Sequence, residues 1–255
     1  MEKRIQFDNH MGEALSGTLQ LPDAPGRFGV VLLHCFTCSR HTSILRQIAQ
    51  DLKAAGMASL RFDFSGNGQS EGRFTDSTYS KMLVEVDLAV KRLSGEGVAR
   101  IGLAGHSMGA SLAVLAAQRS EKIVAVCAMA GRLSGTNARH ILSPAQQAAI
   151  KDTGRVCFMS RGRDLELTES FFSDADAFDL PEMLKTLRVP LLVVHGDEDE
   201  TVPVSEAYRA EALNPANTRL AIMPGADHMF SSGEDRTTIS RTVADWFRVQ
   251  NNRHS

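Results

Sequence analysis

The chain has 255 residues, of which 43% are hydrophobic and 23% charged, so it can bury one large core. A net charge of −2 gives no reason to expect a nucleic acid or a membrane surface as partner, and no segment is apolar enough for a secretory signal or a membrane span. We expect a cytoplasmic protein, a monomer or a homodimer, whose 4 cysteines are too few for a disulfide scaffold and stay reduced.

The first half of the chain alternates between predicted strands and helices. Residues 3–8 and 14–20 alternate polar and apolar side chains and predict an antiparallel pair at the edge of a sheet. Continuous apolar runs then predict buried strands, and stripes at the helical period predict helices between them: strands at 29–33, 57–62, 101–104 and 123–129, helices at 44–55, 79–93 and 110–118. Strands that are apolar throughout are typical of a mostly parallel sheet covered on both faces.

Between residues 131 and 189 this alternation breaks. A helix start is predicted at Ser143-Pro144 and a hairpin around Arg161-Gly162. The alternation returns with strands predicted at 190–194 and 219–223, and helices at 204–212 and at the C-terminus. We expect an α/β fold with a central sheet of about eight strands. Residues 1–131 and 190–255 are predicted to form its core domain, and residues 132–189 an inserted cap.

The segment Gly105-His106-Ser107-Met108-Gly109 joins a predicted buried strand to a predicted buried helix. G-x-S-x-G in that position is the pattern of a nucleophile elbow, a sharp turn that exposes a serine hydroxyl and that only small flanking residues permit. We predict that Ser107 is a nucleophile. The simpler alternative is a glycine-rich turn that contains a serine by chance. The presence of a base and an acid that could act with Ser107 would favour the nucleophile.

A serine nucleophile needs a base, and histidine is the usual one. In folds with this elbow the chain order is Ser, then Asp or Glu, then His. Four histidines follow Ser107: His140, His195, His228 and His254. His228 is the best candidate because it lies in a loop directly after the strand predicted at 219–223, whereas His254 lies in the tail. The alternative for His228 is an ordinary surface histidine.

The acid is expected after the strand at 190–194, where residues 197–200 are all carboxylates and spacing alone does not choose among them. This region resembles a strand-end signature of the α/β-hydrolase superfamily, H-G-x-x-D-x-x-V-P, which is met by His195, Gly196, Asp199, Val202 and Pro203. Residues 61–72 also resemble the loop after the fourth strand of that superfamily. The resemblance implies an α/β-hydrolase fold with Asp199 as the acid, and Asp197 is the reserve candidate. We assign residues 61–72 a structural role, because their glycines suit a compact turn near the active site.

Hydrolysis of an ester passes through an oxyanion that backbone amides stabilise. Met108, directly after the nucleophile, is one expected donor, and the loop after the strand at 29–33 should supply the other. In the superfamily this loop begins His-Gly and the next residue donates, which points to Phe36. Cys35 replaces that glycine here. The string His34 to Ser39 is similar to the hydrolase half of proteins fused to an OsmC-like peroxidase.

Cys35 and Cys38 also form a C-x-x-C pattern between a strand and a helix, which elsewhere is a redox motif. With His34 and His41 beside it, zinc binding is a second alternative. We favour two small residues that pack under the loop, because the loop already has a role in the expected oxyanion hole. We therefore expect no metal and no cofactor.

The predicted cap is where specificity is expected. Its apolar side chains and Phe36 are candidates for a substrate pocket, although the cap residues could equally form a small core of their own: Phe171, Phe172, Phe178 and Met183. The chain is most similar to the feruloyl and cinnamoyl esterase branch, which implies a small-molecule ester with a modest or aromatic acyl group. No basic cluster for a phosphorylated substrate is visible.

We thus expect a serine carboxylesterase with the triad Ser107, His228 and Asp199. A thioesterase, a monoacylglycerol lipase or a peptidase could use the same triad. Alternatives of another class are a C-x-x-C redox protein and a noncatalytic binding protein on the same fold.

Overall fold

The structure is a computed structural model and describes residues 1–23, 26–139 and 142–253. Its strands are β1 (Glu2–Asp8), β2 (Ala14–Gln20), β3 (Phe28–Leu33), β4 (Ala58–Phe62), β5 (Arg100–His106), β6 (Ile123–Met129), β7 (Arg155–Ser160), β8 (Arg163–Thr168), β9 (Leu191–Gly196) and β10 (Thr218–Met223). Its α-helices are α1 (Ser43–Ala54), α2 (Tyr79–Ser94), α3 (Met108–Ala116), α4 (Pro144–Thr153), α5 (Glu169–Ala175), α6 (Leu180–Thr186), α7 (Ser205–Leu213) and α8 (Gly233–Asn252).

Eight strands form one sheet in the order β1-β2-β4-β3-β5-β6-β9-β10. β1 pairs antiparallel with β2, and β2 pairs antiparallel with β4, whereas all the later neighbours are parallel. The antiparallel edge and the mostly parallel sheet that the sequence predicts are therefore confirmed. Because β3, β5, β9 and β10 are parallel, the loops at their carboxyl ends meet at one edge of the sheet.

Helices cover both faces of the sheet. Buried side chains of α1 and α8 share one core cluster with one face, whereas those of α2, α3 and α7 share the other. The inner strands β3 and β5 are buried along nearly their whole length, which is why they read as continuous apolar runs without alternation.

Residues between β6 and β9 form the β7-β8 hairpin and the helices α4, α5 and α6. The hairpin turns at Arg161 and Gly162, and α4 begins with a capping box made by Ser143 and Gln146, so both local predictions are confirmed. The buried side chains of this segment join the core cluster on the α2 and α3 face. Phe171 and Phe172 are therefore part of that cluster.

One expectation is wrong. Cys35 and Cys38 form a disulfide, with Cα atoms 5.3 Å apart, so these two thiols are not reduced. A turn closed by the Cys38 amide, which donates to the Cys35 carbonyl (3.1 Å), brings them within bonding range. Among the described residues no helix is long and apolar enough to cross a membrane.

Candidate active site

Ser107 lies at the sharp turn between β5 and α3. Its backbone has φ 56° and ψ −116°, which is strained for a residue with a side chain. Glycines make the turn possible: a Cβ at Gly105 would lie 1.9 Å from the Gly109 carbonyl oxygen, and one at Gly109 would lie 2.4 Å from the Leu33 carbonyl oxygen. This is the elbow that the G-x-S-x-G pattern predicts, and it places the hydroxyl at the carboxyl edge of the sheet.

Three side chains meet in a row at this edge. The Nε2 atom of His228 lies 3.1 Å from the Ser107 hydroxyl oxygen, and Nδ1 lies 2.8 Å from Oδ2 of Asp199. An ionised carboxylate only accepts hydrogen bonds, so Nδ1–H donates to Asp199 and Nε2 is left to accept from the Ser107 hydroxyl. The structure thus brings together the three residues that the sequence singles out, from loops 121 and 29 residues apart.

The environment of Asp199 keeps it ionised. Burial opposes the charge, but hydrogen bonds from His195, His228 and the Val202 amide outweigh burial and hold the pKa of the carboxyl below its ordinary value. Oδ1 accepts from the amides of Thr201 (2.9 Å) and Val202 (2.7 Å), so the carboxylate cannot rotate away from His228. The reserve candidate, Asp197, points elsewhere and accepts from the Gly225 amide at 2.7 Å.

Two buried histidines support this row without touching Ser107. His195 Nε2 lies 2.8 Å from the Val202 carbonyl and 3.3 Å from Asp199 Oδ2. His106 Nε2 donates to the carbonyl of His228 at 2.8 Å and so fixes the loop that carries the base. Burial, and then the neighbouring His228, lower the pKa of His106 to about 4, so His106 is neutral at pH 7. His140 and His254 lie outside the described residues.

The predicted oxyanion donors lie on both sides of Ser107. Met108 is the first residue of α3, so its amide has no partner inside the helix and is available to a ligand. The loop that carries Phe36 is held by neutral His34, whose Nδ1 donates to the Cys35 carbonyl (2.7 Å) and whose Nε2 accepts from the Phe64 amide (3.1 Å). Burial lowers the pKa of His34, in keeping with an unprotonated Nε2.

Residues 61–72 hold this loop from the other side. Asp63 is fully buried, accepts from the Arg40 amide (2.6 Å) and the Gln69 amide (2.9 Å), and forms an ion pair with the Arg40 guanidinium. The loop predicted to have a structural role therefore anchors the start of α1. Among the described residues, no cluster of three histidine, cysteine or acidic side chains is arranged to hold a metal ion.

Ser107 opens into a cavity of about 230 Å³. Most of its wall is apolar and comes from six separate segments of the chain: Phe36, Tyr79, Met108, Ala138, Phe171 and Val202. Of the five predicted substrate-binding residues, Phe36 and Phe171 are on this wall. Their rings lie 5.3 Å apart, centroid to centroid.

The other three predicted substrate-binding residues are not on this wall. Phe172 is fully buried, packs edge-on against Phe171 and carries the Arg139 guanidinium 4.9 Å over its ring. Phe178 and Met183 pack against the same core cluster. For these three residues the structure agrees with packing in a core, the alternative to a place in the substrate pocket. Apolar composition identified these positions, but it could not tell a wall residue, Phe171, from Phe172 one position further along α5.

Sequence reasoning missed several wall residues. Tyr79, the first residue of α2, was assigned only to a helix stripe, and Arg132, Thr136 and Asn137 lie in an irregular segment without a recognisable pattern. For the last three residues, the usable signal was their position after β6, since loops at that end of a parallel sheet face the site.

The model of the alpha/beta hydrolase family matches residues 30–238, which is well over half of the chain. This chain belongs to the alpha/beta hydrolase family. The predicted α/β-hydrolase fold, with a mostly parallel sheet of eight strands flanked by helices, is thereby confirmed.

Relatives within the family narrow the class. A monoacylglycerol lipase of Mycolicibacterium smegmatis is 24% identical, over 88% of this chain and 89% of that protein. The esterase domain of a Rhodothermus marinus protein superposes with a TM-score of 0.78 at 27% identity, covering 97% and 98% of the two chains. Est1E of Butyrivibrio proteoclasticus, solved with ferulic acid bound, has a TM-score of 0.80 at 23% identity over 96% and 98%, and shows a shared fold. The chain is thus a hydrolase resembling esterases and lipases.

Proposed function

We propose that this hydrolase cleaves carboxylic esters through an acyl-enzyme formed on Ser107. The observation that carries the proposal is the continuous contact from Asp199 to His228 to Ser107 beside an apolar cavity. The contact distances are those over which a proton can pass. Without a base beside it, the strained serine would be a weak nucleophile.

In the proposed mechanism Ser107 Oγ attacks the ester carbonyl carbon while His228 Nε2 takes the hydroxyl proton. The carbonyl oxygen becomes an oxyanion, held by the amides of Phe36 and Met108. The intermediate collapses, the bond to the alcohol breaks, and His228 gives its proton to the departing alcohol oxygen. Water, deprotonated by His228, then attacks the acyl-enzyme and releases the carboxylic acid. Asp199 stabilises the imidazolium in both halves, and no cofactor takes part.

The cavity beside Ser107 supports small or aromatic acyl groups. Its volume of about 230 Å³ is below the range usual for sites that take drug-sized ligands, and its ring-bearing walls favour a flat apolar group over a long chain. We therefore propose short-chain or hydroxycinnamoyl-like esters as substrates. Residues 132–189 act as the cap in this proposal, since Ala138 and Phe171 lie on the cavity wall.

Two measurements test the proposed chemistry. A fluorophosphonate probe should label the chain at Ser107, and labelling should disappear in Ser107→Ala, together with all but a small residue of esterase activity. Ser111 is the matched control: its hydroxyl is on the same cavity wall but donates to the Arg132 carbonyl at 2.9 Å, so Ser111→Ala should still be labelled. Labelling that persists in Ser107→Ala would contradict the proposal.

A substrate panel tests the acyl preference. We expect kcat/KM for nitrophenyl esters to fall once the acyl chain exceeds the cavity, and methyl ferulate to be hydrolysed. A steady rise up to palmitate would favour a lipase, and faster cleavage of the matched thioester would favour a thioesterase. An amide cleaved as fast as its ester would favour a peptidase.

A further inference from the structure

A second cavity, of about 650 Å³, lies beside the loop that follows Phe36. Phe36 is on the wall of the apolar cavity, whereas Thr37 and Cys38 are on the wall of the second. Its wall carries three arginines and several hydroxyl side chains: Arg161 and Arg163 come from the β7-β8 hairpin, and Arg236 comes from α8. No acidic side chain of the described residues is on this wall. We call it the arginine cavity.

The three arginines of this cavity have no carboxylate partner. Across residues 1–23, 26–139 and 142–253, none of Arg161, Arg163 and Arg236 forms an ion pair. Each guanidinium is instead held by a neutral group: the Met229 sulfur at 3.6 Å, the Thr37 carbonyl at 3.3 Å and the Phe230 carbonyl at 3.1 Å, in that order. Three positive charges around one hollow repel one another unless an anion lies among them.

The hairpin is fixed where it carries two of these charges. The Thr37 and Ser160 hydroxyls are 2.8 Å apart, and Arg163 donates to the Thr37 carbonyl, so the turn of the hairpin is bonded to the loop that carries Phe36. Arg161 reaches Met229, the residue after His228. The arginine cavity therefore touches both loops that approach Ser107, one residue beyond each proposed functional group.

The side of the ester that faces the arginine cavity follows from the proton path. His228 must reach the departing oxygen to protonate it, so the departing group lies on the His228 side of the carbonyl. The apolar cavity, which contains Ser107 itself, is left for the acyl group. The wall of the arginine cavity includes Met229, so a departing group that passes His228 continues toward the arginines.

We infer that the preferred substrates are esters whose departing alcohol or thiol carries a negatively charged group, a carboxylate or a phosphate, bound by Arg161, Arg163 and Arg236. This inference rests on the proposed serine hydrolase function and adds the chemistry of the other half of the substrate. No basic cluster is visible along the sequence, because Arg236 joins Arg161 and Arg163 on one cavity wall only in the fold.

A matched pair of esters tests the inference. The butyrate esters of 3-hydroxyphenylacetate and of 3-hydroxyphenylacetamide share the acyl group and the reacting phenol, and differ by one remote negative charge. We expect kcat/KM to favour the charged ester by about tenfold or more, since hydrogen bonds to charged groups are the stronger ones. The ratio should fall as NaCl is raised. A third ester, made from (3-hydroxybenzyl)phosphonate, shows by its larger or smaller ratio whether the cavity prefers a phosphate-like group or a carboxylate.

The variants Arg161→Gln and Arg163→Gln, singly and together, should each lower the charged-to-neutral ratio several-fold, toward one in the double variant. Arg155→Gln is the control, because Arg155 lies on the same hairpin but pairs with Glu166 at 2.8 Å and is not on the cavity wall. A wild-type ratio near one, or a ratio unchanged in the double variant, overturns the inference.

Failure of the inference is distinguishable from failure of the proposed function. Equal hydrolysis of both esters leaves the serine mechanism standing and removes the arginine site. If neither ester is cleaved, calorimetric titration of Ser107→Ala with 3-hydroxyphenylacetate decides the site separately. If Ser107→Ala binds 3-hydroxyphenylacetate and the added double arginine substitution abolishes that binding, the arginine site is supported although the proposed hydrolysis is not. If Ser107→Ala does not bind it, the arginine site is overturned.

Discussion

The two loops that approach Ser107 are held by different kinds of force. On one side, Asp199 lies in a network of ionisable and hydrogen-bonding groups, with His228, His195 and two backbone amides around one carboxylate. On the other side, the loop that carries Phe36 is closed by the Cys35–Cys38 disulfide and by hydrogen bonds of neutral groups, and the Asp63–Arg40 ion pair lies behind it. The first side is proposed to move protons, and the second to present a fixed amide.

This difference has consequences for how each side can fail. A network built on charge depends on pH and on every member of the network, because a buried carboxylate without partners is costly. A loop closed by a covalent bond should instead respond to reductant. Three measurements separate the two sides, beginning with the largest expected effect.

Asp199→Asn should lower kcat by about 10⁴-fold on the proposed mechanism, because an amide in that position favours the wrong tautomer of His228. Asp197→Asn is the control, since Asp197 lies two residues away and its carboxylate accepts from the Gly225 amide. We expect it to retain activity within a few-fold. Steady-state kinetics with a nitrophenyl ester measures both variants, and an Asp197→Asn variant as impaired as Asp199→Asn would reverse the assignment.

Acid should destabilise the fold through His106. Its pKa is about 4 in the folded chain against an ordinary 6.5. As pH falls from 6.5 toward 4, His106 therefore binds a proton in the unfolded chain but not in the folded chain. The free energy of unfolding should therefore lose about 2 kcal/mol between pH 7 and pH 5 from this group alone, and be unaffected by it above pH 6.5.

Urea denaturation of His106→Gln at pH 5, 6 and 7 measures that contribution. Glutamine retains a donor for the His228 carbonyl but does not titrate, so the loss of stability on acidification should be smaller than in the wild type. His10, exposed in the turn between β1 and β2, is the matched control, and His10→Gln should follow the wild type. Equal slopes for all three proteins would exclude His106 as the source.

Reducing the Cys35–Cys38 disulfide should lower kcat/KM by about tenfold. The loop that carries Phe36 gains freedom without the bond, so the proposed oxyanion donor is less well placed, a milder loss than the 10² to 10³ expected for a missing donor. Dithiothreitol on the wild type and the Cys35→Ser/Cys38→Ser variant should give the same reduced rate. Cys157→Ser, which removes an exposed unpaired thiol, should respond to dithiothreitol like the wild type. An unchanged rate would show that hydrogen bonds alone hold the loop.

Patterns along the chain were sufficient for the order of the sheet strands, for the helices between them and for the elbow, but not for α5 and α6. These features depend on neighbours within a few residues: an apolar run, a stripe at the helical period, or two glycines around Ser107. The choice of Asp199 among four adjacent carboxylates needed the resemblance to a family, because local spacing is the same for an orienting acid and for a solvated one.

Distances between remote segments could not be read from those patterns. Phe171 and Phe172 are adjacent on one helix, yet one is on the cavity wall and the other is in the core, because a step of one residue turns a helical side chain by about 100°. The pairing of Cys35 with Cys38 was set by the turn of their loop, and the meeting of Arg161 with Met229, 68 residues apart, by the packing of a hairpin over the sheet edge. Local sequence propensity does not predict such contacts, because they form only when the whole core has packed.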